Sequence, residues 1–252
     1  MEVGGITVKS QKLGQADVVA AFFEDTPTDG ILGLAFPDLS VPPGLPTPFD
    51  SMISQGLLAE DLFFSYFTSD TKSGNDESFF MFGGVDTSKL ANPSGGFTYI
   101  DVIVPSYWLI PMEHVSVGSS VAYKCKLDFC FAVVDTGTTI LAGPSTDIDP
   151  VMKAIGPVAQ DCSNVKSLPT VSLHIAGKDW EIAPELYVLR EQVNATSVEC
   201  ALGMESIPVA EAGPLWILGD VFLRSVAVVW DKSQSPPRVG FAKSTAALPV
   251  FD

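Results

Sequence analysis

Residues 130–144, CFAVVDTGTTILAGP, place one aspartate between an apolar run and a turn of small residues. The alternation of these blocks predicts a buried strand that ends at Asp135, followed by a tight turn and a second apolar segment. A single carboxylate in this position has no evident chemical role by itself. Two carboxyl groups held a few ångströms apart share one proton, and the pair can then act as an acid and a base. The segment therefore raises the question of where a second aspartate lies.

Strand patterns dominate the rest of the chain, which predicts an all-β fold. The strongest are ITVKS (6–10), FTYIDVIV (97–104), HVSVGSSVAY (114–123), FAVVD (131–135), TVSLHIAG (170–177) and SVAVVWD (225–231). Helices are predicted in only two places. One covers 46–58 and opens near Pro48; the other covers 145–156, with Ser145 or Thr146 as its N-cap and Gly156 as its end.

Two segments repeat a pattern of bulky apolar residues followed by glycine, namely DGILGLAF (29–36) and LWILGDVF (215–222). In each we predict a strand packed so closely on a neighbouring loop that only hydrogen fits at the glycine. The segments mark two copies of one unit. Gly219 follows Asp135 by roughly eighty residues, and the same distance counted back from Gly33 ends before Met1. We therefore expect the second aspartate outside these residues.

The four cysteines lack the close CxxC pairs that are typical of zinc sites, and they predict two disulfides. Of the three possible connectivities we favour Cys125–Cys130 with Cys162–Cys200, because each pair closes a local loop. Disulfides indicate an oxidising compartment. Asn194-Ala195-Thr196 is an N-glycosylation acceptor sequence that agrees with such a compartment.

The charge of the chain and its residue types exclude several classes of function. A net charge of −16 repels phosphates and anionic lipid, so nucleic acid and membranes are not expected as partners. The two histidines, His114 and His174, lie in strand-like surroundings and are predicted to be structural. We find no metal-ligand cluster, phosphate-binding glycine loop or nucleophile motif, and we expect no cofactor.

These segments, with Tyr107-Trp108 between them, resemble the pepsin-like aspartic proteases from about residue 3 to the C-terminus. The resemblance implies an all-β, bilobal fold with an incomplete N-terminal lobe. Residues 1–95 would form the C-terminal half of the first lobe, and residues 96–252 the second lobe. The implied activity is hydrolysis of peptide bonds at acid pH by two aspartates that activate water, without a cofactor.

The same resemblance implies a role for most residues of the turn. Asp135 is one catalytic carboxylate, to which Gly137 offers its backbone amide and Thr139 its hydroxyl; Thr136 supports the same loop. Thr138 would bond to the matching loop of the other lobe. The residues that match substrate pockets are Phe22 and Ile31 before the scissile bond, and Tyr107, Val133 and Ile217 after it. Each of the four apolar ones among these could instead belong only to the core.

Three explanations account for the missing half-lobe. The chain could be the heavy chain of a two-chain enzyme with a separate light chain, a truncated polypeptide, or a catalytically inactive relative that binds peptides or proteins. Met1 favours truncation, and the intact DTGTT loop argues against the binding module. In the first two cases we expect a secreted or lysosomal/vacuolar endopeptidase, inactive as the isolated chain.

Overall fold

The computed structural model describes residues 1–23, 28–68, 77–126, 129–194, 197–207 and 215–251, and over these ranges the all-β prediction is confirmed. The helices are α1 (Pro48–Ser54), α2 (Ser145–Ile155), α3 (Pro184–Tyr187) and α4 (Asp220–Leu223). The strands are β1 (Glu2–Val3), β2 (Ile6–Thr7), β3 (Leu62–Tyr66), β4 (Phe79–Phe82), β5 (Thr98–Asp101), β6 (Leu109–Met112), β7 (His114–Val117), β8 (Ser120–Lys124), β9 (Cys130–Val134), β10 (Leu141–Pro144), β11 (Val171–Ile175), β12 (Lys178–Ile182), β13 (Val188–Gln192), β14 (Val198–Leu202), β15 (Met204–Ile207), β16 (Leu215–Leu218), β17 (Val226–Asp231) and β18 (Arg238–Lys243). In the described ranges, the helices are all too short or too polar to cross a membrane.

One five-stranded sheet, in the order β15-β10-β16-β9-β6, carries the predicted aspartate loop. Strand β9 runs parallel to β16, and its last residue, Val134, pairs with Leu218. The backbone amide of Asp135 continues this ladder by donating to the carbonyl oxygen of Leu218 at 3.1 Å. The apolar run before the aspartate is therefore a central, buried strand, and the aspartate lies just beyond its end.

A second five-stranded sheet, in the order β4-β3-β17-β18-β5, joins early and late parts of the chain. We call it the shared sheet, because β3 and β4 precede residue 95 while β5, β17 and β18 follow it. Its aromatic core holds the two halves together: Trp230 stacks on Phe63 at a centroid distance of 5.4 Å, and its Nε1 donates to Ser65 Oγ at 2.9 Å. The division of the chain at residue 95 stays a prediction.

A four-stranded sheet, in the order β12-β11-β7-β8, covers the other side of the core. Its inward residues alternate with outward ones along β7 and β11, as expected for an antiparallel sheet with one solvated face. Helix α2 packs against β7 and β8 and buries Ile148, Val151 and Ile155. The remaining strands form two-stranded pairs, β1 with β2 and β13 with β14.

Helix α1 begins at Pro48, as the sequence predicts, and a capping box holds its first turn. Thr47 Oγ1 accepts from the Asp50 amide at 3.2 Å, and Asp50 Oδ2 accepts from the Thr47 amide at 3.1 Å. These bonds satisfy donors that a helix start would otherwise leave unpaired.

The predicted N-cap of α2 is wrong, although the helix and its end are confirmed. Ser145 is already the first helical residue, and Pro144 occupies the cap position without a side-chain bond. The Thr146 hydroxyl donates to Asp147 Oδ1 at 2.7 Å and so does not cap a backbone amide. Gly156 ends the helix at a φ of 84°, a conformation that glycine adopts without strain.

Both predicted disulfides are present, and no free cysteine remains among the described residues. Cys125 is joined to Cys130 and Cys162 to Cys200, with Cα–Cα distances of 5.4 and 5.2 Å. Asn194 lies exposed after β13. The two residues that complete its acceptor sequence lie outside the described residues, so its glycosylation stays a prediction.

Lys232 fixes the segment that leads into α1. Its side chain is only 8% exposed, and Nζ donates to the carbonyl oxygen of Ala35 at 2.9 Å and to Asp50 Oδ1 at 2.7 Å. The ammonium also lies 4.4 Å from the centroid of the Phe36 ring. Burial lowers the pKa of Lys232, and the bond to Asp50 opposes that shift. One buried cation thus ties residues 35 and 36 to the shared sheet.

Candidate active site

The carboxylate of Asp135 is held by the turn that follows it. The backbone amide of Gly137 donates to Oδ1 at 2.9 Å, and the Thr138 hydroxyl donates to Oδ2 at 2.6 Å. The Gly137 bond has the geometry that the sequence predicts. Because each oxygen has its own donor, the carboxylate has one fixed orientation at the end of β9.

The second bond comes from a different threonine than predicted. We expected Thr139 to donate to the carboxylate, but Thr139 is exposed, and its side chain makes no hydrogen bond to any described residue. The chain turns back within three residues of Asp135 and brings the Thr138 hydroxyl to Oδ2. Thr139 instead uses its carbonyl oxygen, which accepts from the Val221 amide at 3.1 Å. A bond from Thr138 to the other lobe stays a prediction.

The segment after β16 supports this turn from behind. A Cβ atom on Gly219 would lie 2.2 Å from the Thr138 carbonyl oxygen and 2.4 Å from that of Ile140. The Asp220 amide donates to the same Thr138 oxygen at 2.8 Å. The predicted close approach at the second copy of the glycine pattern is therefore confirmed. The backbone of Gly219 lies directly against the backbone of the loop.

The first copy of the pattern behaves differently. Residues 29–36 form no strand in this structure, and a Cβ atom on Gly33 would meet no described atom within 4 Å. A strand requires a neighbour with which to exchange backbone hydrogen bonds, and these residues pair with no described strand. The prediction of a strand at 29–36 is thus wrong for these 252 residues.

A cavity of about 390 Å³ opens beside Asp135 and brings most of the predicted site residues together. Those that line it are Ile31, Tyr107, Val133, Asp135, Thr136, Gly137 and Ile217. Thr138 and Thr139 do not line it. Phe22 lies in the turn Ala21–Phe23, but its side chain is outside the described part of the chain.

The walls of this cavity are apolar, and several of them were missed by the sequence analysis. Leu32, Leu34, Leu39 and Leu215 line it together with the aromatic residues Phe63, Trp108 and Trp230. Leu32, Leu34 and Leu215 belong to the two glycine-containing segments, so their place in those segments was an available signal. Phe63 and Trp230 come from the shared sheet and Trp108 directly precedes β6, and no local sequence pattern links these three positions.

The exposed fraction of each apolar site residue distinguishes a pocket residue from one that belongs only to the core. Val133 is 7% exposed, so it is both a core residue and part of the cavity wall. Ile31 is 84% exposed, which excludes a role in the core of the described residues. An isoleucine that is largely open to solvent beside a carboxylate is suited to contact a ligand.

Asp220 is a second carboxyl group near Asp135, but it does not line the cavity. Burial raises its pKa, the guanidinium of Arg224 at 3.9 Å opposes the shift, and the charge of Asp135 adds to it. The folded protein therefore holds a proton on Asp220 at a pH where the unfolded chain has released it. The site thus has one carboxylate that faces the cavity and one that lies behind the loop.

Asp220→Asn should make the unfolding temperature less dependent on pH. A carboxyl group with a raised folded-state pKa stabilises the fold fully below its ordinary value of 3.8, and this contribution is lost as the pH rises through the folded pKa. Because asparagine does not ionise, the variant should gain stability relative to the wild type at pH 7 but not at pH 3. Thermal unfolding at both values tests this. Asp149→Asn, on an exposed face of α2, should shift both temperatures equally.

The two histidines lie away from this cavity, in an arrangement that the sequence analysis did not anticipate. His114 and His174 stack face to face, and Asp179 lies beside them, so that one possible ligand atom from each residue lies within 4.8 Å of the others. The sequence showed no metal-ligand cluster because the residues come from separate strands. The fold assembles one.

Comparison with known proteins agrees with the geometry of the loop. Residues 1–244 match the family model described as eukaryotic aspartyl protease. The chain is 38% identical to cathepsin D of Clupea harengus, over 96% of this chain and 61% of that protein. It is 37% identical to pepsin A of Canis lupus familiaris, with 96% and 61% covered, and to cathepsin E of Aquarana catesbeiana, with 95% and 59% covered. It thus spans less than two thirds of the length of these relatives. Since the match covers almost the whole chain, including Asp135 and its loop, the chain belongs to the eukaryotic aspartyl protease family.

Proposed function

We propose that this chain supplies one of the two catalytic aspartates, Asp135, of an endopeptidase that hydrolyses peptide bonds at acid pH. The observation that carries the proposal is the Asp135 carboxylate, fixed at both oxygens and facing an apolar cavity. The family supports a hydrolytic protease, since the relatives that match are cathepsins and a pepsin. The second aspartate belongs to polypeptide outside these residues, because DTG occurs once in the sequence.

The reaction requires both carboxyl groups. The ionised one takes a proton from water as the water oxygen attacks the scissile carbonyl carbon, and the protonated one gives its proton to the carbonyl oxygen. The carboxyl group that took the water proton then gives it to the nitrogen as the C–N bond breaks, and a hydroxyl of the tetrahedral intermediate returns its proton to the other carboxylate. Asp135 contributes one of these groups, and the amide of Gly137 and the hydroxyl of Thr138 hold it in position.

The substrate is a peptide or protein whose apolar side chains enter the cavity. Among the residues that line the cavity with Asp135, Tyr107 and Ile31 are exposed and Ile217 is half-buried. An extended peptide that covers these residues would remove apolar surface from water, which favours binding. The assignment of Ile31 to the side before the scissile bond, and of Tyr107, Val133 and Ile217 to the side after it, is part of this proposal, as is a role for Phe22.

We also propose that the missing half-lobe is the physical partner of this chain, either as part of a longer polypeptide or as a light chain. Two disulfides support a place in the secretory pathway, with secretion or delivery to a lysosome or vacuole, because such bonds persist in oxidising compartments. Glycosylation at Asn194 would agree with this location.

Reconstitution tests the proposal. This chain alone should not cleave a denatured protein at any pH. The completed enzyme, in which the chain is joined to or refolded with the missing half-lobe, should cleave it at roughly pH 3 to 5, where two coupled carboxyl groups hold one proton. Strong cleavage by the chain alone would show that another group, such as Asp135 of a second copy, supplies the second carboxylate. If the completed protein bound peptide without cleaving it, the alternative of an inactive binding module would be correct.

A further inference from the structure

A row of charged and metal-ligating side chains crosses the outer face of the four-stranded sheet. His114 on β7 lies directly opposite His174 on β11, and His174 lies directly opposite Asp179 on β12. The two histidines are half-buried and Asp179 is exposed, so all three face solvent. The register of three antiparallel strands fixes this row, since residues that are paired across a sheet project from the same face.

The three possible ligand atoms lie within 4.8 Å of one another, so movements of these side chains could bring them onto one ion. The imidazole rings of His114 and His174 are nearly parallel, with centroids 4.3 Å apart. His174 Nδ1 lies 2.8 Å from Asp179 Oδ1. Two ligand atoms about 2.1 Å from one tetrahedral zinc ion are about 3.4 Å apart. An ion between Nδ1 and Oδ1 would widen their 2.8 Å contact. The two rings would also have to tilt out of their parallel stack, because lone pairs that lie in parallel ring planes do not converge on one ion.

The charges around the row decide how strong such a site can be. His114 and His174 line a second, open cavity of about 910 Å³. Glu113 also lines it, and its Oε2 is buried without a hydrogen-bond partner among the described residues. Lys124, which lies opposite His114 on β8, and Lys126 line this cavity as well. The carboxylates attract a cation and the ammonium groups repel it, so these two influences oppose each other at the row.

We propose that His114, His174 and Asp179 bind one divalent transition-metal ion. Two imidazoles and a carboxylate match zinc and its neighbours better than magnesium or calcium, which prefer ligands made only of oxygen. The open side of the cavity leaves room for water to complete the coordination. The bound ion would connect β7, β11 and β12 across the outside of the sheet. This site is separate from the Asp135 cavity and does not depend on the proposed protease activity.

Nuclear magnetic resonance offers a direct test, because these are the only two histidines in the chain. The imidazole signals of the purified protein should both shift on addition of zinc chloride and stop shifting at one equivalent. Magnesium chloride at the same concentration should move neither. Calorimetric titration with zinc gives the affinity. If zinc moved one imidazole or none, or bound without saturating at one equivalent, the proposal would be wrong.

Three variants test the assignment of the ligands. Loss of groups that only orient a ligand costs about 10–100-fold in metal affinity, so His174→Ala should weaken zinc binding at least about 100-fold. Asp179→Asn keeps the shape of an exposed side chain and should weaken it at least about tenfold. Lys124→Gln should change the zinc affinity in the opposite direction. It removes a nearby positive charge and should tighten zinc binding about threefold to tenfold at low salt.

Circular dichroism shows whether each variant is folded. If His174→Ala does not fold, Asp179→Asn and Lys124→Gln still decide the question, because both changes are on exposed side chains. Unchanged zinc affinity in the folded Asp179→Asn variant would remove Asp179 from the site. Unchanged affinity in folded His174→Ala would overturn the proposal as a whole.

Discussion

Asp135→Asn should lower the rate of peptide-bond hydrolysis by the completed enzyme at least about 1000-fold. An asparagine side chain has nearly the same shape, and its oxygen can still accept from the Gly137 amide. It cannot accept a proton from water, and it cannot share a proton with the second aspartate. The fall should therefore appear in kcat, while the binding of a peptide substrate, measured as KM or by calorimetry, should change little.

The control is Asp149→Asn, which makes the same chemical change on an exposed face of α2. It should leave the rate within about twofold of the wild type, since substitutions of this kind have small effects. Hydrolysis of a denatured protein between roughly pH 3 and pH 5 is the measurement for both. If Asp135→Asn kept a tenth or more of the activity, Asp135 would not be a catalytic carboxylate.

Gly219→Ala should destabilise the chain by about 3 kcal/mol or more. The new methyl group would lie 2.2 Å from the Thr138 carbonyl oxygen and 2.4 Å from the Ile140 carbonyl oxygen, and neither belongs to a side chain that could rotate away. The backbone of the loop would have to move, which would break the bond from the Asp220 amide to Thr138. Denaturant unfolding of both proteins measures the difference.

The sequence contains a matched control for this change in the first copy of the same pattern. Gly33→Ala should alter the free energy of unfolding of this chain by no more than about 0.5 kcal/mol, because its methyl group would meet nothing within 4 Å. In the completed enzyme we expect the loop that carries the second aspartate to pack at Gly33, as the Asp135 loop packs at Gly219, so the same substitution should become costly there. Equal effects of the two substitutions in the isolated chain would contradict the explanation by close approach.

Local patterns predicted those parts of the structure that depend on neighbouring residues. The apolar run before Asp135 is a strand, the turn after it places the Gly137 amide on the carboxylate, and Pro48 and Gly156 bound their helices. For the strand and the two helix ends the signal is the conformational preference of a few consecutive residues, whereas the role of the Gly137 amide was implied by the resemblance of the DTGTT loop to the pepsin-like family. The disulfide pairing was also found, because each bridge closes a loop within one region of the chain.

The features that were missed depend on distant partners. Residues 29–36 have the composition of a strand but pair with no described strand, and a strand without a neighbour does not form. His114 and His174 meet only because β7 and β11 adopt one register out of several possible ones. The choice between Thr138 and Thr139 depends on the backbone path of the loop, which packs against Gly219, a residue about eighty positions away in the chain.

The shared sheet has a consequence for the synthesis of this protein. Strand β3 consists entirely of buried residues, and its neighbour β17 contributes Trp230, which bonds to Ser65 across a separation of 165 residues. At about 5–20 residues per second, a ribosome needs roughly ten to thirty seconds to make the intervening chain. During that interval β3 can pair only with β4, and the edge that β17 later covers is open to other chains. Nascent copies on one messenger RNA would therefore depend on a chaperone until β17 and β18 emerge.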